Sequence, residues 1–431
     1  MKRLSSLLLL AAAILIASCQ GGGGPKYFDW PIKVAKHDPR NLWSNLGEVR
    51  GALGDGPNWL NHGATDFKTT GGLSVYASDV GTVRFGEDSD KKSGQPPVKI
   101  GHFSMLHFKD VNNLNVNPAV LGDATIWTVV VRPDDDIQLT PTGAVTTLRK
   151  LRKTIARGVR KQGSAWEQVF FYSINEPIGQ AEGADLHTIY YETEDSAYKD
   201  VSDIRNVLSV IEYENPKLPE IQVVRLFSQK VVTGLARELI LEAPGSGVMS
   251  IANDGGVDIV VTSSSFATGD ARAGIYELAW AVDRFLTATE EVPPTSVTGP
   301  GNKKMVPVVS ETIMYTYDRM PDRAKDENLV ARLPKFVLPT GDISSFNSVD
   351  TRKYTAYVVT NTQGDDAKHW ELEDITKFPD GTYLLTVTAR NIKKSHGIGV
   401  KPTLGEFALK YYVDVVTMHA GGDRKITVRK V

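Results

Sequence analysis

The feature that most constrains this chain is a succession of short β-type runs, each closed by glycine, asparagine or proline before a helix could build its turns. Leu73–Ala77 and Gly81–Phe85 flank an Asp79-Val80-Gly81 turn, and Thr125 to Arg132 is a continuous β-branched run suited to a buried strand. Further on the same pattern returns over Ile221–Phe227, Gly256–Thr262, Gly274–Val282, Tyr354–Thr360 and Thr382–Ala389. Phe407–Met418 and Lys425–Lys430 close the chain as two more strands. Strands recurring without helices between them predict a mainly β protein, with β-sandwich material in the second half. The proline-bearing stretch Glu214-Asn215-Pro216-Lys217-Leu218-Pro219 divides it into expected domains at 43–214 and 215–431.

One segment departs from the pattern. Thr146 to Gln162 sets Leu148, Leu151, Ile155 and Val159 at helical spacing, with Arg149, Lys150, Arg152, Lys153, Arg157, Arg160 and Lys161 between them. This predicts an amphipathic basic helix inserted near 146–162. Its charge serves either as a solvated face or as a contact for an anionic envelope polymer or lipid headgroup.

The N-terminus carries an address. Lys2 and Arg3 precede an apolar run from Leu7 to Ile16, too short to span a bilayer and ending at Ile16-Ala17-Ser18-Cys19. Small residues before a cysteine resemble the lipobox of bacterial lipoproteins. The resemblance implies removal of residues 1–18 as a signal peptide and lipidation of Cys19. Gln20 after that cysteine is similar to the pattern of lipoproteins released to the outer membrane. Residues 19–42, with Gly21 to Gly24 among them, are expected to form the lipidated end and a flexible tether. The expected location is the envelope, at the outer membrane facing the periplasm, held by lipid alone.

Composition narrows the chemistry. Cys19 is the only cysteine, so once it is acylated no disulfide, cysteine–zinc site or cysteine nucleophile can be built. A formal net charge of -2 gives no electrostatic reason to expect a nucleic-acid partner. Asp134-Asp135-Asp136 lacks a glycine-paced calcium loop and reads as a solvated acidic turn. Ser263-Ser264-Ser265 has no nucleophile elbow around it and reads as strand or turn serines.

Among the histidines, His62 is notable for Asp66 four residues on, in Asn61-His62-Gly63-Ala64-Thr65-Asp66-Phe67. Gly63 and Thr65 disfavour a helix, so the pair sits on a loop entering a strand. An imidazole and a carboxylate there supply two of the N/O ligands zinc accepts, or simply satisfy one another.

The run from His62 through Val83 resembles the core of the lysostaphin/LytM-like zinc metallopeptidases, where an HxxxD motif leads into a VYA…GxV pair of strands. Leu46-Gly47-Glu48-Val49-Arg50 is similar to the entry preceding that motif. Phe103-Ser104-Met105-Leu106-His107-Phe108 resembles the YxHL-like context of a later family histidine, which makes His107 the candidate to orient or polarise the reacting groups. Gly183-Ala184-Asp185-Leu186-His187 resembles the family's GxHLH motif, with His187 in the ligand position and Asp185 where an activating histidine belongs. The resemblance implies a Zn2+ site made by His62, Asp66 and His187, with His107 and Asp185 as the catalytic positions.

The second half adds a weaker likeness. Leu218-Pro219-Glu220-Ile221, Gly274 to Asp283, and Asp380 to Val387 resemble strands of the immunoglobulin-like β-sandwich that follows a LytM-like domain in large envelope lipoproteins. The function implied is a zinc metalloendopeptidase acting on peptidoglycan cross-links. The alternative is a catalytically degenerate scaffold that binds cell wall or activates other wall hydrolases. Asp185 favours the alternative, because a carboxylate donates no hydrogen bond to an oxyanion unless protonated.

Overall fold

The structure is a computed structural model. It describes residues 27–33, 42–47, 49–50, 60–61, 65–68, 73–76, 81–87, 101–107, 124–131, 156–162, 165–172, 177–181, 185–193, 204–232, 236–243, 247–251, 256–266, 272–321, 355–360, 369–418 and 424–431. These residues form a mainly β fold.

The first half supplies β1 (Leu42–Ser44), β2 (Val49–Arg50), β3 (Leu60–Asn61), β4 (Thr65–Lys68), β5 (Leu73–Tyr76) and β6 (Gly81–Glu87). It continues with β7 (Gly101–His107), β8 (Ala124–Val131), β9 (Ala156–Gln162) and β10 (Ala165–Tyr172). It ends with β11 (Pro177–Ala181), β12 (Asp185–Thr193) and β13 (Ile204–Arg205). Nine of these strands form one antiparallel sheet in the order β1-β4-β12-β8-β7-β6-β10-β9, with β13 beside β12. β5 pairs with β11 and β2 with β3.

The helix expected near 146–162 is corrected at its C-terminal part. Residues 156–162 are strand β9, paired along their whole length with β10. Gln162 and Ala165 are register partners, so β9 and β10 are antiparallel neighbours adjacent in sequence. Sheet pairing outweighs the helical spacing, and Gly158 within the run weakens the helical alternative. Residues 146–155 lie outside the described residues, as do Cys19 and Asp134–Asp136.

A short helix, α1 (Val207–Val210), leads into the second half. Asn206 caps it through its side-chain oxygen, which accepts from the Leu208 amide at 3.0 Å. There follow β14 (Glu220–Val232), β15 (Ala236–Ala243), β16 (Gly247–Ile251), β17 (Val257–Phe266), β18 (Arg272–Ala273) and β19 (Glu277–Phe285). The last are β20 (Val297–Thr298), β21 (Lys304–Thr316), β22 (Thr355–Val358), β23 (Gly381–Lys394), β24 (Thr403–Thr417) and β25 (Arg424–Lys430). They make a five-stranded sheet, β15-β14-β17-β18 with β22 on β17, and a seven-stranded sheet, β16-β25-β24-β23-β19-β21-β20.

These two sheets share one core. Val257, Ile259 and Val261 on β17 alternate inward, as do Tyr383, Leu385 and Val387 on β23 and Tyr411, Val413 and Val415 on β24. Ser263 and Ser265 are buried strand residues of β17 that bond Glu220 and Asn391, which suits their reading as strand serines.

The halves are joined by buried polar and apolar contacts. Leu46, Ile204 and Met320 form a small cluster, and the Asn206 side chain donates to the Tyr317 carbonyl at 2.8 Å. The tether expected to reach residue 42 is shortened by the structure, because residues 27–33 are packed. Phe28 bridges Ile211, Trp30 donates to the Glu212 carbonyl at 2.8 Å, and Trp30 lies 5.2 Å from the Phe67 ring. Two tryptophan- and phenylalanine-sized side chains cost more exposed than packed, which is what holds this segment down.

Candidate functional site

The candidate site is built on β4 and β12. Directly opposed residues of an antiparallel pair share a face of the sheet. His187 on β12 is the register partner of Asp66 on β4, so the two positions meet on one face. Phe67 lies on the other face, where Trp30 packs on it. A register shift between Leu42 and Ser44 lets β1 serve both: Leu42 partners Phe67, and Ser44 partners Asp66.

Asp66 is 1% exposed, and its Oδ2 accepts a hydrogen bond from Ser44 Oγ at 2.6 Å. A buried carboxylate needs such a donor, and the bond fixes the direction of its oxygens. Beside it, Thr65 donates to Asn45 Oδ1 at 3.1 Å, tying β4 to the chain that leaves β1. Ser44 was not evident from the sequence, since nothing in Leu42-Trp43-Ser44-Asn45 marks it as Asp66's partner until the register is seen.

The other expected positions are spread along the sheet. Asp185 stands opposite Lys68. On its other side His187 faces Val130 of β8, and Val130 in turn faces His102 of β7. His107 stands opposite Thr125, five residues along β7 from His102. Five residues span about 17 Å of strand, and an odd count reverses the face. The ladder therefore brings Asp66 and His187 together and leaves His107 away from them. His62 lies outside the described residues. Among the described residues no three His, Cys, Asp or Glu side chains gather as a metal site.

No family model matches this chain, and no curated protein does. One solved structure, the NMR solution structure of lysostaphin, is similar over 70% of this chain and 100% of that chain, at 9% identity and a TM-score of 0.22. Similarity of that size does not establish a shared fold.

Proposed function

We propose that this chain is an envelope lipoprotein, anchored through Cys19 at the outer membrane, whose first half is a LytM-like module directed at peptidoglycan. The observation that carries the reading is the Asp66–His187 register, which sets a carboxylate position and an imidazole position side by side. His62, Asp66 and His187 are a donor set that suits zinc, and the Ser44 hydroxyl on Asp66 is the kind of outer hydrogen bond that orients a ligating carboxylate. Bound zinc would supply a Lewis acid and a water of pKa near about 7.

Cutting a peptide bond asks for more. It needs a group to protonate the departing amine and donors for the oxyanion. Val130, the residue facing His187 on β8, has neither capacity, and Asp185 stands opposite the cation Lys68. His107 is on another part of the sheet. The function best supported is thus a module that holds wall peptides and activates other wall hydrolases without cutting. The second reading, a zinc endopeptidase of peptidoglycan cross-links, rests on the retained ligand pair.

Three measurements on the purified full-length chain separate these: zinc content, co-sedimentation with sacculi, and release of soluble fragments from them. About one zinc per chain, lost in Asp66→Ala, with sedimentation and no release, is the expected result. Release abolished by Asp66→Ala would make the chain an enzyme. Absence of zinc after supplementation, together with failure to sediment, would overturn the LytM-like reading altogether.

A further inference from the structure

The hairpin of β23 and β24 closes where Lys394 faces Thr403, and residues 395–402 form its tip. The tip is ordered: the Val400 amide donates to the Gly397 carbonyl at 3.2 Å, and His396 Nε2 lies 2.7 Å from Thr403 Oγ1. That order does not hide its apolar side chains. Val400 is 52% exposed and Ile398 is half-buried. Lys401 on the tip and Lys393 and Lys394 at its base are exposed as well. Glu214 stands 3.7 Å from Lys394 Nζ, and among the described residues neither Lys393 nor Lys401 has an acidic partner.

The N-terminal segment enters the fold at this same tip. The Tyr27 hydroxyl donates to the Ser395 carbonyl at 3.2 Å. Cys19 and Tyr27 are eight residues apart, a span of at most about 28 Å. Val400 is five residues from Ser395, at most about 17 Å away. The opposite end of the hairpin, where Val415 faces Gly381, is fourteen residues along β23 from Ser395, about 46 Å. Val416 is 54% exposed there, but a tether of about 28 Å does not reach that end.

We infer that the 395–402 tip rests on the bilayer that holds the Cys19 lipid, with Val400 and Ile398 entering the headgroup layer and Lys393, Lys394 and Lys401 meeting anionic phospholipid. The inference rests on the lipid-anchor reading above and adds a second membrane contact to it. Aliphatic side chains rimmed by lysines are the composition that an anionic lipid surface favours. Two aliphatic side chains and three cations are a weak contact for a protein free in solution. A short tether changes that, because it keeps the tip at about millimolar effective concentration beside the bilayer. The second half then stands with β23 and β24 steep to the membrane and Val416 pointing away from it.

The test uses the full-length chain, expressed with its leader, purified from membranes and reconstituted into vesicles of phosphatidylethanolamine and phosphatidylglycerol. Cys19 is the only cysteine, so once it is acylated Val400→Cys supplies a single thiol for a polarity-sensitive fluorophore. Val416→Cys carries the same label at the opposite end, and both positions are exposed enough to accept it. Headgroup spin-labelled lipid is expected to quench the label at 400 severalfold more than the label at 416. Lys393→Glu with Lys401→Glu should remove most of that quenching, as should replacing phosphatidylglycerol with phosphatidylcholine. Equal quenching at both positions, quenching at 416 alone, or none at 400 overturns the tip contact. So does quenching at 400 that ignores both the lysine changes and the lipid charge. In each of these cases a chain that floats with the vesicles and carries acyl mass on Cys19 leaves the anchor reading intact. A chain without acyl mass, whose Cys19→Ser variant floats equally well, overturns both.

Discussion

Gly47 lies flat against the ring of Tyr317, so close that a Cβ built on it would stand 2.2 Å from Tyr317 Cδ1. Its φ of +86° lies in the left-handed region, and Tyr317 is fully buried. A glycine that follows β1 and a tyrosine that follows β21 therefore form one joint between the halves of the chain.

Gly47→Ala should destabilise the protein by about 2–4 kcal/mol, combining left-handed backbone cost with overpacking against the ring. Urea unfolding checks this. A midpoint within error of the parent would show that the joint tolerates a methyl group, contrary to the contact described.

Ser44→Ala should leave the fold in place and weaken zinc binding by about ten- to a hundredfold, through loss of the hydroxyl that orients Asp66. Competition with a chelator reads the affinity. Ser44→Thr, which keeps the hydroxyl, should recover most of it, and equal affinity in all three proteins would remove Ser44 from the site.

Arg424 is 1% exposed, donates to the Leu372 carbonyl, and pairs with Asp380 at 3.2 Å. Arg424→Ala should cost about 1–3 kcal/mol for the abandoned carbonyl alone, with lost packing added. Thermal unfolding measures it, and Arg424→Lys should not rescue it, since an ammonium cannot span both partners as a guanidinium does.

Acid should weaken the second half. Burial opposes charge on Asp380, but the Thr417 amide and hydroxyl and Arg424 outweigh it and hold its carboxyl below the ordinary range. The Arg284 hydrogen bond at 2.6 Å and the Thr287 amide bring Glu290 down to about 2. Both pKa values are depressed in the folded state, so their stabilisation is present above the ordinary carboxylate range and fades as pH falls toward about 2. Both groups reach solvent, so the effect is modest and should shrink with added salt. Arg284→Gln should flatten the acid limb of a stability–pH curve.

Alkali should weaken the fold as well, through its buried phenols. Burial raises Tyr383 and Tyr411 to about 12 and pushes Tyr213, Tyr276 and Tyr317 higher still. Phenols that ionise more easily when unfolded withdraw stability as pH rises above about 10. Phenolate absorbance should therefore appear together with loss of tertiary circular dichroism. Smooth titration of these tyrosines in a folded chain would contradict their burial.

Much of the fold was legible because its strands carry their own signals. The apolar and β-branched residues of Tyr383-Leu384-Leu385-Thr386-Val387 and the β-branched run of β8 announce themselves. β15, Ala-Arg-Glu-Leu-Ile-Leu-Glu-Ala, does not: its residues favour a helix, and pairing with β14 decides the matter. β9 misleads in the same way, its basic residues at helical spacing while the strand pairs with β10 along its whole length. At the site, HxxxD and the later His187 were visible as residues. That His102 shares their row and His107 does not depends on strand register, which no local pattern records.

The packing of residues 27–33 has a mechanical consequence. Tyr27 donates to the Ser395 carbonyl, Phe28 draws its amide to the Val210 carbonyl, and the Tyr76 amide is drawn to the Pro31 carbonyl. If the N-terminus is anchored as proposed, tension on it would enter the fold at this seam, which is bonded at once to β5, to the α1 segment and to the residue after β23.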